Sequence, residues 1–290
     1  MMNESRTMDD LLNWLETHLD QPLSLDQVAA RSGYSKWHLQ RKFKETTGQV
    51  LGAYIRARRL SNASMALRLT SKPLAAIAQQ YCFESQQSFN RAFKQQFSQT
   101  PALYRRSMKW DFHGFQPPLG KSNLELPQGK FVTLPEMQLA GVTECYTCSL
   151  EQLSQCRTQL RERHWRRFLE QAQINPSVLY GLCCSGPESV KNGGNEVWYT
   201  TAVEAQYLSE PLANVAIHRL NLGDYVQFTY KGVPEGLQGF ILELYGICLP
   251  LMQVVRRDGY DIEQFHQWPD PHAGDTTDWV HCEYLIPIVR

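Results

Sequence analysis

Residues 36–47 read KWHLQRKFKETT, and at helical spacing one side gathers Trp37, Gln40, Arg41 and Lys44. The steps of 3, 1 and 3 make one continuous stripe. Its chemistry suits the edges of DNA bases. Arginine pairs with guanine O6 and N7, glutamine or asparagine with adenine N6 and N7, and apolar groups touch thymine methyls. On this reading Arg41 and Gln40 face bases, and Trp37 lies against sugars and methyl groups. Fifty residues later QQSFNRAFKQQF offers Gln86, Gln87, Asn90 and Arg91 on the equivalent face. Lys44, Lys94, Arg105 and Arg106 have the chemistry of phosphate contacts, which position a protein without reading sequence. The plainer reading is a solvated helix surface. Against it stands the shared register of Arg41 and Arg91.

The neighbouring segments supply the frame. MDDLLNWLETHLD spaces Leu11, Leu12, Trp14, Leu15, His18 and Leu19 as an amphipathic helix. Ser24 followed by Gln27 is a capping-box signature, Gly33 suits a turn with positive φ, and Ser35 can cap the striped helix. Leu39 and Phe43 pin that helix inward. One proline-free helix is predicted from Leu51 to Leu69, and Pro73 fits the first turn of the next. Leu74, Ile77 and Ala78 then repeat Leu25, Val28 and Ala29 with a shift of 49. From Ser35/Ser85 onward the shift is 50, so one residue is added near Glu84. The chain carries two helix-turn-helix copies joined by a rod roughly 30 Å long. Successive major grooves on one face of B-DNA lie roughly 34–36 Å apart. One molecule could therefore read two adjacent grooves of a non-palindromic site.

Charge divides the 290 residues. Residues 1–120 hold 16 Lys/Arg and 9 Asp/Glu, a net +7, and the remainder holds 13 and 20, a net −7. A basic half that meets a polyanion is joined to a half that avoids one. No apolar run approaches a membrane span, and the polar start MMNESRTMDD lacks signal-peptide character. Eight irregularly spaced cysteines fit reduced thiols in the cytoplasm.

The basic half resembles the AraC family of transcription activators. The resemblance is carried by LDQVAARSGYSKWHLQRKFKETTG with YIRARRL, and by IAQQYCFESQQSFNRAFKQQFSQTPALYRR. It covers residues 8–107. It implies an activator that binds asymmetric double-stranded DNA sites as a monomer and recruits RNA polymerase at stress and drug-tolerance genes. Two positions depart from the family pattern. Cys82 stands where glycine usually precedes Phe83, and Ser98 replaces a second glycine; both predict strained turns.

The acidic half alternates differently. Residues 111–124 are rich in Gly and Pro and read as a linker between domains at 1–110 and 125–290. Strands are predicted in KFVTLPEMQLAGVTECYTC, EVWYTTAVEA, VAIHRLNLGDYVQFTYKG and HCEYLIPIVR. Residues 149–171 and EGLQGFILELYGICLPLM are predicted helices. The order runs twice through a β-α-β pattern. AGVT, LNLGDYVQFTYKG and CEYLIPIVR resemble the GyrI-like effector-binding domain. The expected fold is an all-α tandem helix-turn-helix domain followed by an α+β GyrI-like domain. The resemblance implies an aromatic groove for an amphipathic or cationic small molecule. Tyr146, Trp165, Trp198, Tyr225 and Phe228 are the candidate ring faces. Strand alternation keeps Tyr225 and Phe228 off one face. Glu283 is the candidate acid; a carboxylate among rings would attract a cation. Its plainer reading is an edge-strand acid in water or a paired structural acid.

Other constellations carry less. Cys145 and Cys148 form a lone CxxC, and adjacent Cys183 and Cys184 suit no common zinc spacing. KNGGNE at 191–196 reads as a hairpin turn rather than a phosphate cradle. No metal, catalytic group or cofactor is expected. The competing functions are a repressor or DNA-architecture protein, and a small-molecule-sequestering protein or hydrolase with a vestigial DNA-binding half.

Overall fold

The computed structural model describes residues 2–70, 72–120, 125–146, 161, 165, 168–169, 176–184, 197–208, 214–268 and 279–289. Seven helices form the first half: α1 (Met2–Glu16), α2 (Leu25–Ser32), α3 (Lys36–Thr47), α4 (Leu51–Leu69), α5 (Leu74–Gln80), α6 (Gln86–Phe97) and α7 (Pro101–Arg106). Local sequence fixes their ends. Ser24 Oγ accepts from Gln27 N at 3.2 Å while Gln27 Oε1 accepts from Ser24 N at 2.9 Å. Ser35 and Ser85 cap α3 and α6 the same way, by accepting from the backbone N–H three residues on. Pro73 sits one residue earlier than its sequence suggests, at the N-cap of α5.

The repeat extends to the turns. Gly33 ends α2 at φ 73 and Cys82 follows α5 at φ 59, a shift of 49. Gly48 ends α3 at φ 72 and Ser98 ends α6 at φ 58, a shift of 50. The added residue therefore lies between Cys82 and Ser85. In the second copy these two turns place Cys82 and Ser98 in a left-handed conformation that costs L-residues roughly 1–2 kcal/mol.

The two copies share α4 but not a core. Leu39 and Phe43 of α3 pack with Leu11, Leu12, Leu15, Val28 and Tyr54. Phe89, Phe93 and Phe97 of α6 join a larger cluster that continues into the second half through Trp110, Tyr245, Phe265 and Tyr284.

The second half is one antiparallel sheet: β1 (Lys130–Leu134), β2 (Met137–Tyr146), β3 (Leu179–Cys184), β4 (Val197–Glu204), β5 (Ala216–Leu220), β6 (Gly223–Gly232), β7 (Val255–Arg256), β8 (Tyr260–Gln267) and β9 (Val280–Val289). Its order is β1-β6-β9-β8-β3-β4-β2-β5, with β7 paired to β9. Two similar halves, β6-β9-β8 and β2-β4-β3, meet at the β8/β3 seam, and each edge is closed by the strand that precedes the other half's first strand. Helix α8 (Pro234–Glu243) runs through a π turn at Leu244–Cys248 into α9 (Leu249–Met252). Arg161, Trp165, Phe168 and Leu169 are helical; the rest of the helix predicted over 149–171, and the turn at 191–196, lie outside the described residues.

The halves meet at Trp110. Its backbone exchanges hydrogen bonds with Arg256 at 2.8 and 2.9 Å, and its ring stacks on Tyr245 at 4.7 Å. Arg68 of α4 lies 5.4 Å over the same ring and donates to the carbonyls of Tyr104, Arg105 and Ser107. Residues 111–120 then run back along α4: Ser61 Oγ accepts from Gln116 N at 2.9 Å, and Tyr54 Oη accepts from Leu119 N at 3.1 Å. Fully burying each large apolar side chain in these cores contributes about 1.5–3 kcal/mol.

Candidate nucleic-acid interface and ligand site

Capping and core anchoring together decide which side of α3 faces out. With Leu39 and Phe43 fully buried, Trp37, Gln40, Arg41 and Lys44 are exposed, Trp37 at 68%. The Arg41 guanidinium lies 5.3 Å from the Trp37 ring centre, and its Nε is 2.9 Å from Glu45 Oε1. Exposed pairs of this kind contribute only about 0.2–1 kcal/mol, so Arg41 is held in a rotamer yet cheaply released. On α6 the equivalent face exposes Gln86, Gln87, Arg91 and Lys94. Asn90 stands at its margin, half-buried, with Oδ1 lacking a hydrogen-bond partner among the described residues. Arg91 also borders a cleft of about 530 Å³ between the two copies, where Arg56 and Arg59 of α4 add positive charge.

Arg105 is differently employed. Its guanidinium donates to the carbonyls of Leu67, in the last turn of α4, at 3.1 Å, and of Lys72, beyond that helix. Burial, then the charge of Arg106, holds its pKa below the usual arginine value. Its Nε and Nη2 are turned by these bonds toward the protein rather than toward the phosphate contact expected from the sequence position of this half-buried residue. Arg106 is exposed.

The five candidate ligand residues whose side chains are described do not share one face of the sheet. Trp165 is buried edge-on to Phe265 at 4.7 Å, and Phe228 is buried in the same core. Tyr225 belongs to the cluster on the other sheet face, beneath the Arg257 guanidinium at 4.9 Å. Alternation puts half-buried Trp198 opposite Tyr199, and Glu283 with Tyr225. Glu283 accepts hydrogen bonds from Gln227 Nε2 at 2.7 Å and from Thr229 Oγ1, and lies 3.5 Å from His281 Nε2. The side chain of Tyr146 lies outside the described residues. The five whose side chains are described divide between two faces of the sheet, with Tyr225 and Phe228 apart as alternation predicts.

The sequence reading missed a different carboxylate. Glu263 of β8 is fully buried on the helix-covered face, at the seam with β3. Its Oε2 accepts from Arg161 Nε at 3.0 Å and from the Tyr199 hydroxyl at 2.8 Å, and its Oε1 accepts from Arg161 Nη2. Burial, then the neighbouring carboxylate, raises the Tyr199 hydroxyl well above its ordinary value. Burial alone would lower the Arg161 pKa, but Glu263 more than offsets it. Gly181 makes room: a Cβ there would lie 2.3 Å from the Tyr199 hydroxyl and 2.5 Å from Glu263 Oε2. The signal was the Asp261, Glu263, Phe265 alternation in YDIEQF, where acids share a strand face with phenylalanine. Among the described residues no three His, Cys, Asp or Glu side chains gather to hold a metal ion.

Family models match both halves: a helix-turn-helix domain at residues 28–107 and a GyrI-like small molecule binding domain at 127–289. Over 289 residues, with both chains fully covered, the sequence is 50% identical to the transcriptional regulator Rob of Salmonella typhimurium. The chain belongs to the AraC family of transcription regulators. A similar match, 51% over the full length of both chains, is to the right origin-binding protein of Escherichia coli K12. The regulatory protein SoxS of the same species is 48% identical over 107 residues, which cover all of SoxS and 37% of this chain. As an AraC-family regulator the protein binds DNA, carries a small-molecule binding domain, and is not an enzyme. Among the described residues no helix is long and apolar enough to cross a membrane.

Proposed function

We propose that this regulator is a cytoplasmic transcription activator that binds asymmetric duplex sites as a monomer, with α3 and α6 in adjacent major grooves. The observation that carries the reading is the pair of exposed polar-basic stripes fixed to one rod. α4 has 19 residues, which at about 1.5 Å each span close to one groove repeat. Arg41 and Gln40 read bases in one groove; Gln86, Gln87 and Arg91 read them in the next. Trp37 packs on sugar and methyl groups, and Lys44, Lys94 and Arg106 hold phosphates. A regulator whose whole length matches 107 residues, 37% of this chain, supports a DNA-binding half that ends near residue 110, with 111–124 as connection. The second half takes an amphipathic small molecule and alters how the first half engages RNA polymerase at stress and drug-tolerance genes.

In vitro transcription from a footprinted promoter tests activation. Transcript should rise on adding the protein, and fall back with Arg41→Ala or Arg91→Ala. A drop in transcript caused by the unmodified protein would favour repression instead.

A further inference from the structure

A carboxylate buried without a partner is too costly to keep charged. A ligand-binding domain can exploit that cost by leaving the acid for a ligand's positive charge. Here the chain fills the position itself. The Arg161 guanidinium approaches Glu263 with two prongs, Nε on Oε2 at 3.0 Å and Nη2 on Oε1. It also lies 5.8 Å from the centre of the Tyr199 ring. Two charged hydrogen bonds and an aromatic face, in a site without water access, are what an organic cation would be offered. Arg161 is 3% exposed and Glu263 0%.

A second observation separates this pair from an ordinary structural bridge. Arg161 Nη1 and Trp165 Nε1, one helical turn apart, are buried and have no hydrogen-bond partner among the described residues. A pair kept for stability alone would spend those donors, since buried polar groups are nearly always satisfied. Asp261, two residues along the same face of β8, shows the contrast. Its Oδ1 takes Arg256 Nε and Nη2 at 3.1 and 2.8 Å, and the remaining Arg256 donors go to the carbonyls of Arg257 and Gly259. Of the two arginines that meet acids of this strand, Arg256 has its donors spread over a carboxylate, a hydroxyl and two carbonyls, whereas among the described residues Arg161 donates hydrogen bonds to Glu263 alone.

We propose that Arg161 is a built-in cation occupying a cation-recognition subsite around Glu263, so that the ligand half rejects lipophilic organic cations while Arg161 is seated and accepts them when it is absent. The proposal rests on the small-molecule reading of the second half and narrows the ligand class given above. Arg161 is thus the residue that sets ligand specificity, and Tyr199 and Gly181 shape the subsite it fills.

The test uses the full chain, Arg161→Met, and the double variant Arg161→Met/Glu263→Gln, with tetraphenylphosphonium as the probe. Calorimetry should show at least tenfold tighter binding to R161M than to the unmodified chain, and the gain should vanish in the double variant. If R161M folds only with the probe present, a saturable rise in its melting temperature, absent from the double variant, gives the same support. The proposal is overturned if folded R161M binds no tighter than the unmodified chain, or if the double variant gains as much. It is also overturned if unfolded R161M fails to respond to the probe while the double variant folds unaided. Gel shifts of all three proteins on one operator should coincide, which keeps a failure here distinct from a failure of the DNA-binding account.

Discussion

Arg41 and Arg91 hold one register in two helices, yet their surroundings differ. Arg41 is braced by Trp37 and Glu45, whereas Arg91 borders the cleft that Arg56 and Arg59 share. Replacing Arg41 with alanine should cost about 1–3 kcal/mol at one base position and relax specificity there, whereas Lys94→Ala should weaken all sequences alike. Selection of binding sites from random duplexes checks this; a uniform loss from both changes would count against base reading by Arg41. Cys82 and Ser98 offer a second residue-scale test. Each occupies a left-handed turn where the first copy has glycine. Ser98→Gly should stabilise the protein by about 0.5–1 kcal/mol, because the relieved strain exceeds the extra chain entropy of glycine. A urea midpoint that falls instead would show that Ser98 contributes something its geometry does not display.

At the scale of elements, the helical half is legible because each signal is local. Ser24 with Gln27, Gly33, Ser35 and the 49-to-50 shift all act within one turn, and all recur in the fold. The strands are less evenly written. β1, β2, β4, β5 and β6 lie within the predicted strand segments and β9 overlaps one from His281 onward, but β3, β7 and β8 go unread. VLYGLCC is a short apolar run that periodicity alone cannot tell from buried helix. YDIEQFHQ carries acids that look solvated until Arg161, 102 residues away, is placed against one of them. Burial of Glu263 depends on a distant partner, so spacing within the strand could not reveal it. The same seam gives a prediction for β3. Gly181→Ala puts a methyl against the Tyr199 hydroxyl and the Glu263 carboxylate, and overpacking of that kind costs roughly 1–3 kcal/mol. Thermal unfolding of the variant would measure it, and an unchanged melting temperature would mean that the seam can yield.

Across the whole molecule, the second helix-turn-helix shares a core with the ligand half and the first does not. Trp110 is the hinge pin of that shared core. Trp110→Ala should cost about 3–5 kcal/mol and split unfolding into two transitions, seen by calorimetry. A single unshifted transition would mean that the halves are not coupled through this ring. Alkali gives a further check. Burial, then Glu243, raises the Cys248 thiol from 9.0 to about 11, and burial raises Cys282 well above its ordinary value. The unfolded chain sheds these protons first, so the folded state binds more of them between the two values. Stability should hold below about pH 9 and fall as pH rises through that window, read as a falling urea midpoint. Recognition of DNA is the claim on which the rest of the functional account depends. Hydroxyl-radical footprinting combined with the mass of the complex by sedimentation tests it most directly. The account predicts one chain per site, with protection of two adjacent major grooves roughly 34–36 Å apart on one face of the duplex. Protection of one groove per chain, or two chains on an inverted repeat, would contradict it.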